Sequence, residues 1–463
     1  MERSYLGLAD ESLFIDKIQS TFKAADVKLL RNAYIFSQEK ACNGNPIGCK
    51  AANFLFSQNA DAVTIAGALL APLTWGNLTN VDDVRGSFGS DVATVLEDLR
   101  DSFLPSKYSR TNQRESMHVL LASMEGPPRK AILYITFRLL ALECATNALA
   151  PATRKMAQET LDILVPIANH LSLGDLRRRL EDACFQILAP QDYEELQERV
   201  CPIQSEDNKC LRILLSGAKR LLANNGIQGR VQGRTKSLHA IHCKMIRTGK
   251  NLEEIMDRVG LRIIVASVPE CYTILGLLHT HFRPIPGTFD DYIGLPKNNG
   301  YQSLHTCVYP VREISHKPIE FQVRTDLMHQ EAEHGTAAHW RYKQDKTADL
   351  LDQQRTQWMG GLVRQHRESL SNKAFVERLH QQVFQNHLLV FGNGGRIVRL
   401  AQNATVRNYM QIINIRFTHD MPVKVNGRLV NIDFRLRDGD SIEVLGDGVA
   451  TNHVFNAEMA QDL

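Results

Sequence analysis

The spacing of apolar residues changes along this chain, and the change constrains the fold more than any other feature of the sequence. From Leu13 to about Leu188, apolar residues recur mostly at helical intervals, with Gly, Asn and Pro clusters between the segments. This spacing predicts an all-helical amino-terminal region. Between Leu221 and Pro310 the pattern differs, because the short β-branched run VGLRIIVA precedes the helically spaced YTILGLLHTHF. A strand followed by a helix indicates an α/β or α+β domain.

The carboxyl-terminal part differs again. Residues 344–375 are rich in Gln, Arg, Lys and Ser with few apolar positions, so we interpret them as an exposed helical linker. From His387 the segments HLLVF, RIVRL, VKVNGRLV and DGDSIEVL predict a small β-rich module of the ubiquitin-like kind. The predicted organisation is a helical domain, an α/β domain, a linker, a β-rich module and a tail, at residues 1–195, 196–345, 346–384, 385–448 and 449–463.

Composition limits the cellular setting. A content of 43% hydrophobic and 23% charged residues is ordinary for globular domains, and a net charge of +3 is too small to indicate nucleic-acid wrapping. Nine cysteines without a CxxC pair predict reduced thiols. The first residues are charged where a signal peptide is apolar, and no run approaches the roughly 18 apolar residues of a membrane span. We therefore expect a soluble cytoplasmic protein with no membrane partner.

The placement of charge is more informative than its total. Residues 208–252 contain no Asp or Glu but ten basic residues, a local excess that favours a polyanion. A solvated helix face and a nucleic-acid site are the alternatives. The same stretch has no Phe, Tyr or Trp on which a base could stack, which argues against single-stranded nucleic acid. A nucleotide polyphosphate fits the pattern better.

Residues further along the chain would suit phosphate chemistry. The alternating segment 319–325 predicts a strand with Glu320 on its polar face. Asp257 precedes the other predicted strand, and two carboxylates could share a magnesium ion if the strands lie in one sheet. Tyr301 and Lys297 lie in the loop PKNNGYQSLH, which could stack a base. The simpler readings are a turn residue at Asp257 and a loop with a half-buried tyrosine.

Four segments carry a resemblance to a known family. GRTKSLHAIHCKM, EEIMDRVGLRI, FDDYIGLPKNNGYQSLHT and IEFQVRTDLMHQEAEHGTAAHWRYK resemble, in order, the synthetase domain of RelA/SpoT long alarmone synthetases. The resemblance extends upstream through VPIANHLSLGDLRRRLEDACFQILAP and downstream to residues 387–446, which resemble a TGS domain. It implies a multidomain α + α/β protein: an all-helical HD-type pseudo-hydrolase domain, a mixed-sheet nucleotidyltransferase-like synthetase domain and a small β-grasp TGS domain.

The resemblance also implies a reaction. With Mg²⁺, ATP donates its β,γ-pyrophosphate to the 3′-hydroxyl of GTP or GDP, AMP is released, and the product (p)ppGpp drives the stringent response. The implied groups are ATP-binding Arg234, Lys236 and Lys244, catalytic and magnesium-binding Asp257 and Glu320, and guanine nucleotide-binding Tyr301, Lys297, His305 and Arg324. Tyr301 would stack on guanine, while the three residues grouped with it would contact phosphates or order the loop. For His329, Glu333 and His339 we expect supporting or packing roles.

The chain departs from the family pattern on the donor side. His239 and Ala240 stand where the family has a Tyr-Ser pair, and Cys243 replaces an arginine. These changes predict weakened ATP binding or altered geometry. Before the acceptor loop the sequence Thr288 to Asp291 is closest to the family's acidic Glu-x-Asp-Asp form, which goes with synthetase-only enzymes and a preference for GTP.

The helical region lacks the family's hydrolase ligands. The positions of the histidine, the His-Asp pair and the distant aspartate hold Asn45, Ala71, Pro72 and Phe137, and the first histidine of the chain is His118. A manganese site needs imidazole and carboxylate ligands. We therefore predict that hydrolysis is lost and that this region packs against the synthetase, with a regulatory role.

Two functions stay open. One is an active, synthetase-only enzyme, which Asp257, Glu320 and Tyr301 favour. The other is a pseudo-enzyme that binds guanine nucleotides or a partner synthetase as a regulator, which Ala240 and Cys243 favour. In ribosome-linked relatives the TGS domain contacts uncharged tRNA, and His419 falls where the family has a histidine in that region. Contact with the ribosome or tRNA, and a homo-oligomer, are left open.

Overall fold

The structure is a computed structural model, and it describes the chain in two compact units, Met1–Leu379 and His380–Leu463. The described residues are 11–41, 45–97, 99, 113–145, 150–255, 259–297, 299–309, 318–335, 346–384, 387–392, 396–401, 403–415, 421–437 and 439–445. No helix in these ranges is long and apolar enough to cross a membrane.

The amino-terminal part of the first unit is helical, as the apolar spacing predicts. Its α4 is buried nearly all round, so it forms the centre of this region. Its elements are α1 (Glu11–Gln19), α2 (Ala24–Lys40), α3 (Pro46–Ser57), α4 (Ala62–Trp75), α5 (Val81–Phe88), α6 (Ser90–Leu96), α7 (Gln113–Ser123), α8 (Pro128–Glu143), α9 (Pro151–Glu159), the π-helical turn Thr160–Leu164, α10 (Val165–His170), α11 (Gly174–Leu188) and α12 (Pro190–Asn224).

A five-stranded mixed sheet follows, in the order β1-β2-β5-β4-β3. Strands β2 and β5 are parallel and the other neighbours are antiparallel, so the predicted mixed sheet and the adjacency of its two best-predicted strands are confirmed. Its elements are β1 (Gly229–Thr235), α13 (Leu238–Thr248), β2 (Val259–Val265), α14 (Val268–His281), β3 (Asp290–Asp291), β4 (Leu304–Val308), β5 (Ile319–Thr325) and α15 (Asp326–His334).

The two faces of this sheet have different chemistry, because successive side chains of a strand point in opposite directions. One face carries residues such as Leu261, Ile263, Phe321 and Val323, which form a core with α12 and α14. The opposite face carries the polar residues of the same strands and contacts α15. The core helices therefore fix the sheet from behind and leave the polar face to build a site.

The linker expectation needs a correction. Residues after the sheet form α16 (Lys346–Glu368) and α17 (Asn372–Phe384), which are helical as expected, but α16 is not an exposed connector. Met359, Leu362 and Val363 are buried, and α16 packs against α7 and α8. The apolar residues of this stretch are few, yet their helical spacing gathers them into one stripe that can be buried.

The second unit is small and β-rich, as the short alternating segments predict. Strands β6 and β7 pair with each other, and β10, β8 and β9 form a second ladder. A parallel bridge between Phe391 and Ser441 joins the two ladders. A single apolar core fills the unit. The elements are β6 (His387–Phe391), β7 (Ile397–Ala401), α18 (Val406–Ile412), β8 (Val423–Val425), β9 (Arg428–Val430) and β10 (Ile442–Val444).

Candidate active site

The polar face of the five-stranded sheet brings a cation and a carboxylate together across a glycine. Gly260 of β2 pairs with Arg234 of β1 on one side and with Glu320 of β5 on the other. A Cβ placed on Gly260 would lie 3.6 Å from Oε2 of Glu320, so the carboxylate occupies the space above the glycine. The next row on the same face consists of Gln232, Arg262, Gln322, His305 and Asp290.

A chain of contacts links the predicted guanine-stacking tyrosine to this carboxylate. The Tyr301 hydroxyl and His305 Nε2 are 2.8 Å apart, within hydrogen-bond distance. His305 Nδ1 lies 3.4 Å from Glu320 Oε1. The rings of Tyr292 and Tyr301 both pack edge-on against His305. The structure thus places Tyr301, His305 and Glu320 in one connected group.

Lys297 completes the acceptor side of this group. Its ammonium lies 4.3 Å from the ring centre of Tyr292 and 5.7 Å from that of Tyr301. Burial lowers the pKa of Lys297, and Arg234 contributes in the same direction while Asp290 opposes it. A cation between two aromatic faces, close to the row that holds Glu320, is suited to contact a nucleotide phosphate.

The electrostatics of Glu320 identify its surroundings as cationic. Burial alone would raise the pKa of Glu320, but the hydrogen bond with His305 and the charges of Arg234 and Lys236 outweigh it and lower the pKa to about 2. The carboxylate is therefore ionised at neutral pH. Its partner in the sequence prediction, Asp257, lies outside the described residues.

The donor set suits a hard cation in one respect. Among the described residues, Gln322 Oε1 is buried without a hydrogen-bond partner, although Gln322 Nε2 lies only 3.4 Å from Glu320 Oε1. Carboxylate and amide oxygens are ligands of the kind that Mg²⁺ takes, and Glu320 and Gln322 supply both kinds on this face of the sheet. The residues present thus fit a magnesium ion that completes its shell with water and phosphate oxygens.

The predicted donor-side cations surround the start of α13. Arg234 is near the end of β1, Lys236 follows that strand, and Ser237 caps the helix by accepting a hydrogen bond from the Ala240 amide. Asp182 of α11 accepts from the His239 amide at 2.9 Å. Because these caps use the amides, phosphate contacts at this end fall to the side chains. Lys244 is half-buried and lies about two turns further along α13.

Two of the residues that depart from the family pattern, His239 and Cys243, contact each other, and His239 packs against α11. The His239 ring packs against Phe185, and its Nδ1 lies 3.9 Å from a carboxylate oxygen of Glu181. Cys243 Sγ is 3.4 Å from His239 Nε2. Burial lowers the pKa of His239 and raises that of the Cys243 thiol, so burial disfavours the charged form of both side chains. The His239 ring therefore packs against α11, and the exposed Cys243 contacts it where the family has an arginine.

A buried cluster of arginines lies beside the acceptor group. One oxygen of Glu333 binds Arg262 at 2.8 Å and Arg324 at 2.9 Å, while the other binds Arg178 of α11 at 2.7 Å. Arg324 is 0% exposed and its guanidinium lies 5.9 Å from the Tyr301 ring centre. Of the two roles predicted for Arg324, ordering the loop therefore fits its position better than contact with phosphates.

The supporting roles predicted for two residues of α15 agree with this cluster. Nδ1 of His329 lies 2.7 Å from Arg324 Nη2, and burial together with Arg324 and Arg262 lowers the pKa of His329 to about 3. Burial would raise the pKa of Glu333, but its arginine partners hold it well below its usual range. His339 lies outside the described residues.

Sequence reasoning missed Arg262 and Arg178. Arg262 interrupts an otherwise apolar strand, and a charge in that position is the available signal for a buried ion pair. Burial and the neighbouring Arg324 lower the pKa of Arg262 to about 10. Arg178 gives no such signal, because it is one of three consecutive arginines on a helix.

Three of the four positions where the family has hydrolase ligands are buried in the helical core. Asn45 caps α3 by accepting from the Gly48 amide and donates to the Leu69 carbonyl of α4 at 2.6 Å. Ala71 and Phe137 are buried, and the Phe137 ring packs edge-on against Trp75 with centroids 4.6 Å apart. Pro72 lies inside α4. Apolar contacts and a helix cap therefore occupy this place.

Comparisons with known proteins agree with the two parts of the first unit. A family described as "Region found in RelA / SpoT proteins" matches residues 233–347, and the HD domain family matches residues 33–174. The chain is 32% identical over 423 residues, 89% of its length, to a probable guanosine-3′,5′-bis(diphosphate) 3′-pyrophosphohydrolase from Synechocystis. The GTP pyrophosphokinase of Escherichia coli is 29% identical over 86% of this chain. These matches, and relatives with such names over most of the chain, make it similar to proteins of the RelA/SpoT family.

Coverage of the relatives is partial. The chain spans 55% of the length of both the Synechocystis and the Escherichia coli protein. Among solved structures, the small alarmone synthetase 1 of Bacillus subtilis bound to its product pppGpp covers 37% of this chain and 96% of its own, with 25% identity and a TM-score of 0.27. That score is too low to support an argument about the fold.

Proposed function

We propose that this chain is a (p)ppGpp synthetase that transfers the β,γ-pyrophosphate of ATP to the 3′-hydroxyl of GTP or GDP. The observation that carries the proposal is the connected group of Tyr301, His305 and Glu320 on the polar face of the sheet, opposite Arg234. A base-stacking surface, a carboxylate and a phosphate-binding cation are thereby held on one surface. The names of the relatives agree, since several are GTP pyrophosphokinases.

The geometry suggests how the residues divide the work. Arg234, Lys236 and Lys244 bind the ATP phosphates, while Tyr301 stacks on guanine and Lys297 contacts the acceptor phosphates. The 3′-oxygen forms a bond to the β-phosphorus of ATP as the bond from that phosphorus to the α,β-bridging oxygen breaks. The bridging oxygen leaves with AMP. Alignment of the two anions and neutralisation of their charge supply most of the acceleration.

Glu320 takes the hydroxyl proton in this scheme. Its lowered pKa makes it a weak base in the free protein, because the hydrogen bond with His305 and, after it, the cations Arg234 and Lys236 favour the ionised form. Nucleotide phosphates that bind these cations cancel part of that charge, so the pKa of Glu320 rises when the substrates are present. The carboxylate then becomes a better base in the ternary complex. Mg²⁺, held by Glu320, Gln322 and Asp257, would neutralise phosphate charge.

The acceptor-side segment from Thr288 to Asp291 supports a preference for GTP only weakly. Asp291 accepts from the Ile293 and Gly294 amides and from the Tyr272 hydroxyl, and Thr288 Oγ1 donates to the Ile285 carbonyl. These two residues therefore shape the loop. Asp290 is the one near Lys297, and its charge would repel additional acceptor phosphates.

The reaction is proposed to run in the synthetic direction only. The hydrolase positions hold Asn45, Ala71, Pro72 and Phe137, none of which is a histidine or carboxylate. This loss separates the chain from the hydrolases among its relatives. Incubation with ppGpp and Mn²⁺ should release no pyrophosphate, and release at a rate above that of a heat-denatured sample would refute one-way synthesis.

The second unit is proposed to be a TGS domain of the β-grasp kind. Support comes from its β-rich topology, with a parallel bridge between its first and last strands, and from the sequence resemblance. His419, the residue expected near tRNA, lies outside the described residues. Contact with uncharged tRNA or the ribosome, and self-association, follow only from the resemblance.

The second candidate function is a pseudo-enzyme that binds guanine nucleotides or a partner synthetase. Three features favour it: His239 packs against α11, an exposed Cys243 stands where the family has a cation, and Ala240 lacks a hydroxyl. On that reading the acceptor residues bind guanine nucleotide, but the affinity of the donor residues for ATP is too low for pyrophosphate transfer.

One assay separates the two candidates. Purified protein is incubated with ATP, Mg²⁺ and GDP or GTP, and (p)ppGpp and AMP are quantified by anion-exchange chromatography. Glu320→Gln should lower the rate at least about 100-fold, because a general base contributes that much. Glu443→Gln, an exposed carboxylate on a strand of the second unit, is the matched control. Absence of product from the unaltered protein, with guanine nucleotide still bound, would favour the pseudo-enzyme.

A further inference from the structure

The turn between α10 and α11 holds the acceptor loop from outside the synthetase sheet. Helix α10 ends at His170, and the turn continues through Ser172 to Gly174, the first residue of α11. Ser172 has a left-handed backbone with φ of 59° and is 7% exposed. Its Oγ donates to the Asn299 carbonyl at 2.7 Å. A buried side chain of the former hydrolase region therefore contacts the loop that carries Tyr301.

Asn299 makes the reciprocal contact. Its Nδ2 donates at 3.0 Å to the Asn169 carbonyl near the end of α10, which also accepts from the Ser172 amide at 3.1 Å. Its Oδ1 accepts from the Tyr301 amide at 3.2 Å. One side chain thus joins the backbone of the guanine-stacking tyrosine to the backbone of the helical region.

The same turn also contacts the end of α15. A Cβ on Gly335, whose φ is 52°, would lie 2.1 Å from the Leu171 carbonyl oxygen. A Cβ on Gly174 would lie 2.4 Å from the Ala332 carbonyl oxygen. Backbones this close leave the turn little freedom to shift relative to the sheet. The turn is therefore a fixed support for the acceptor loop.

We infer that Asn299 is a positioning residue: with Ser172 it clamps the acceptor loop to the helical region, so that Tyr301 is oriented for guanine before nucleotide binds. The inference rests on the proposed acceptor role of Tyr301. It assigns the helical region a purpose that does not need hydrolysis. An acceptor site held in place loses less conformational freedom on binding, and the affinity for guanine nucleotide increases accordingly.

Asn299→Asp tests the clamp separately from the local turn. The aspartate keeps an oxygen for the Tyr301 amide but loses the donor to the Asn169 carbonyl and sets a carboxylate against that oxygen. Calorimetry of GDP binding without ATP is the readout. We expect Asn299→Asp to weaken GDP binding about tenfold, as does Asn299→Ala, with the KM for ATP changed less than about twofold. GDP affinity equal to that of the unaltered protein would overturn the clamp.

Ser172→Gly tests the other side of the clamp. Glycine accepts the left-handed backbone but has no hydroxyl, and Asn77→Gly, at an exposed left-handed position with φ of 55°, is the matched control. We expect Ser172→Gly to weaken GDP binding about fivefold and Asn77→Gly to leave it unchanged. The double variant Ser172→Gly with Asn299→Asp should lose less than the product of the two factors, because both break one clamp.

The outcomes separate this inference from the proposed function. If no (p)ppGpp forms but Asn299→Asp and Ser172→Gly still lose GDP affinity, the clamp is supported and synthesis is refuted. If (p)ppGpp forms and both variants keep full GDP affinity, the clamp alone is refuted. Failure of the unaltered protein to bind GDP refutes both.

Discussion

The helical region and the polar face of the sheet handle buried polar positions in opposite ways. Where the family has hydrolase ligands, Asn45 has its side-chain hydrogen bonds satisfied and Phe137 packs against Trp75. On the sheet, Arg262 and Arg324 share one carboxylate oxygen of Glu333, and both retain buried N–H groups without a partner among the described residues. The arrangement in the helical region favours stability alone. The arrangement on the sheet retains charged side chains and unpaired N–H groups, which lowers stability.

This difference between the two regions indicates which of them binds ligands. A buried polar group without a partner destabilises a fold by about 1–3 kcal/mol, so it tends to be retained where a ligand uses it or a network needs it. Apolar side chains and a helix cap fill the positions where the family has hydrolase ligands, while Arg178, Ser172 and Asn169 make polar contacts with residues of the synthetase region. The comparison predicts that substitutions at the hydrolase positions of the helical region change stability without changing activity, whereas substitutions on the sheet change both.

Metal removal should give the largest effect. EDTA is expected to lower the rate of (p)ppGpp synthesis at least about 1,000-fold, because phosphoryl transfer needs a cation to neutralise the phosphates. The unfolding temperature should not move, since no group of three or more His, Cys, Asp or Glu among the described residues could hold a metal. A fall in unfolding temperature with EDTA would indicate a structural metal and weaken the contrast between the regions.

Glu333→Gln should damage stability and activity together. The change leaves three guanidinium groups without their shared negative charge in a buried setting, where breaking an ion pair costs about 3–5 kcal/mol. Urea denaturation followed by circular dichroism measures the loss, and the synthesis assay should show a raised KM for GDP.

The control for Glu333→Gln is Asp433→Asn in the exposed Asp433 and Arg407 pair of the second unit. A surface pair contributes about 0–1 kcal/mol, so its loss should barely alter the denaturation midpoint. A Glu333→Gln protein as stable as the Asp433→Asn protein would mean that the arginines are compensated by another group.

Phe137→Ala should lower stability but not the chemistry. Removing a buried aromatic ring and its contact with Trp75 is expected to cost about 3–5 kcal/mol. Under conditions where the fold persists, kcat and both KM values should stay within about twofold of the unaltered protein. A selective loss of kcat would contradict the separation of stability from activity in the helical region.

The sequence predicts the regular elements better than the contacts between them. Periodicity is enough for α4, β2 and β5, because their apolar spacing follows from the geometry of helix and strand. It is not enough for β1, a polar edge strand whose only apolar side chain is Val231, or for the burial of α16. Both depend on what packs against them, which a local pattern does not encode.

The same limit applies to the site. Glu320, Tyr301 and Arg234 could be assigned from long sequence motifs, and the sheet does bring them to one face. The clamp formed by Asn299 and Ser172 could not be predicted from the sequence. The two positions are 127 residues apart, and neither residue type is unusual in a loop. Long-range polar contacts of this kind leave no periodic signal.

Acid should selectively weaken the sheet. Burial would raise the pKa of Glu333, but Arg178, Arg262 and Arg324 lower it well below its usual range. A lowered pKa contributes stability above the unfolded value of about 4.3, and that stability is lost as pH falls further. The free energy of unfolding should therefore decline from about pH 5 to pH 3. Compared with the unaltered protein, Glu333→Gln should show a shallower decline of this free energy with pH, and Asp433→Asn should show the same decline.

Ala240→Ser should give the smallest effect, and it probes the boundary between the two regions. The position lies in the first turn of α13, beside Lys236 and facing the donor site by the family pattern, and a hydroxyl there could bind an ATP phosphate. One added hydrogen bond is worth about 0.5–1.5 kcal/mol, so the KM for ATP should fall about threefold to fivefold while the KM for GDP stays constant. Ala223→Ser on the exposed side of α12 is the control. If the KM for ATP does not fall, the packing of His239 against α11 has moved the start of α13 away from the donor, and the helical region limits the donor side while it supports the acceptor side.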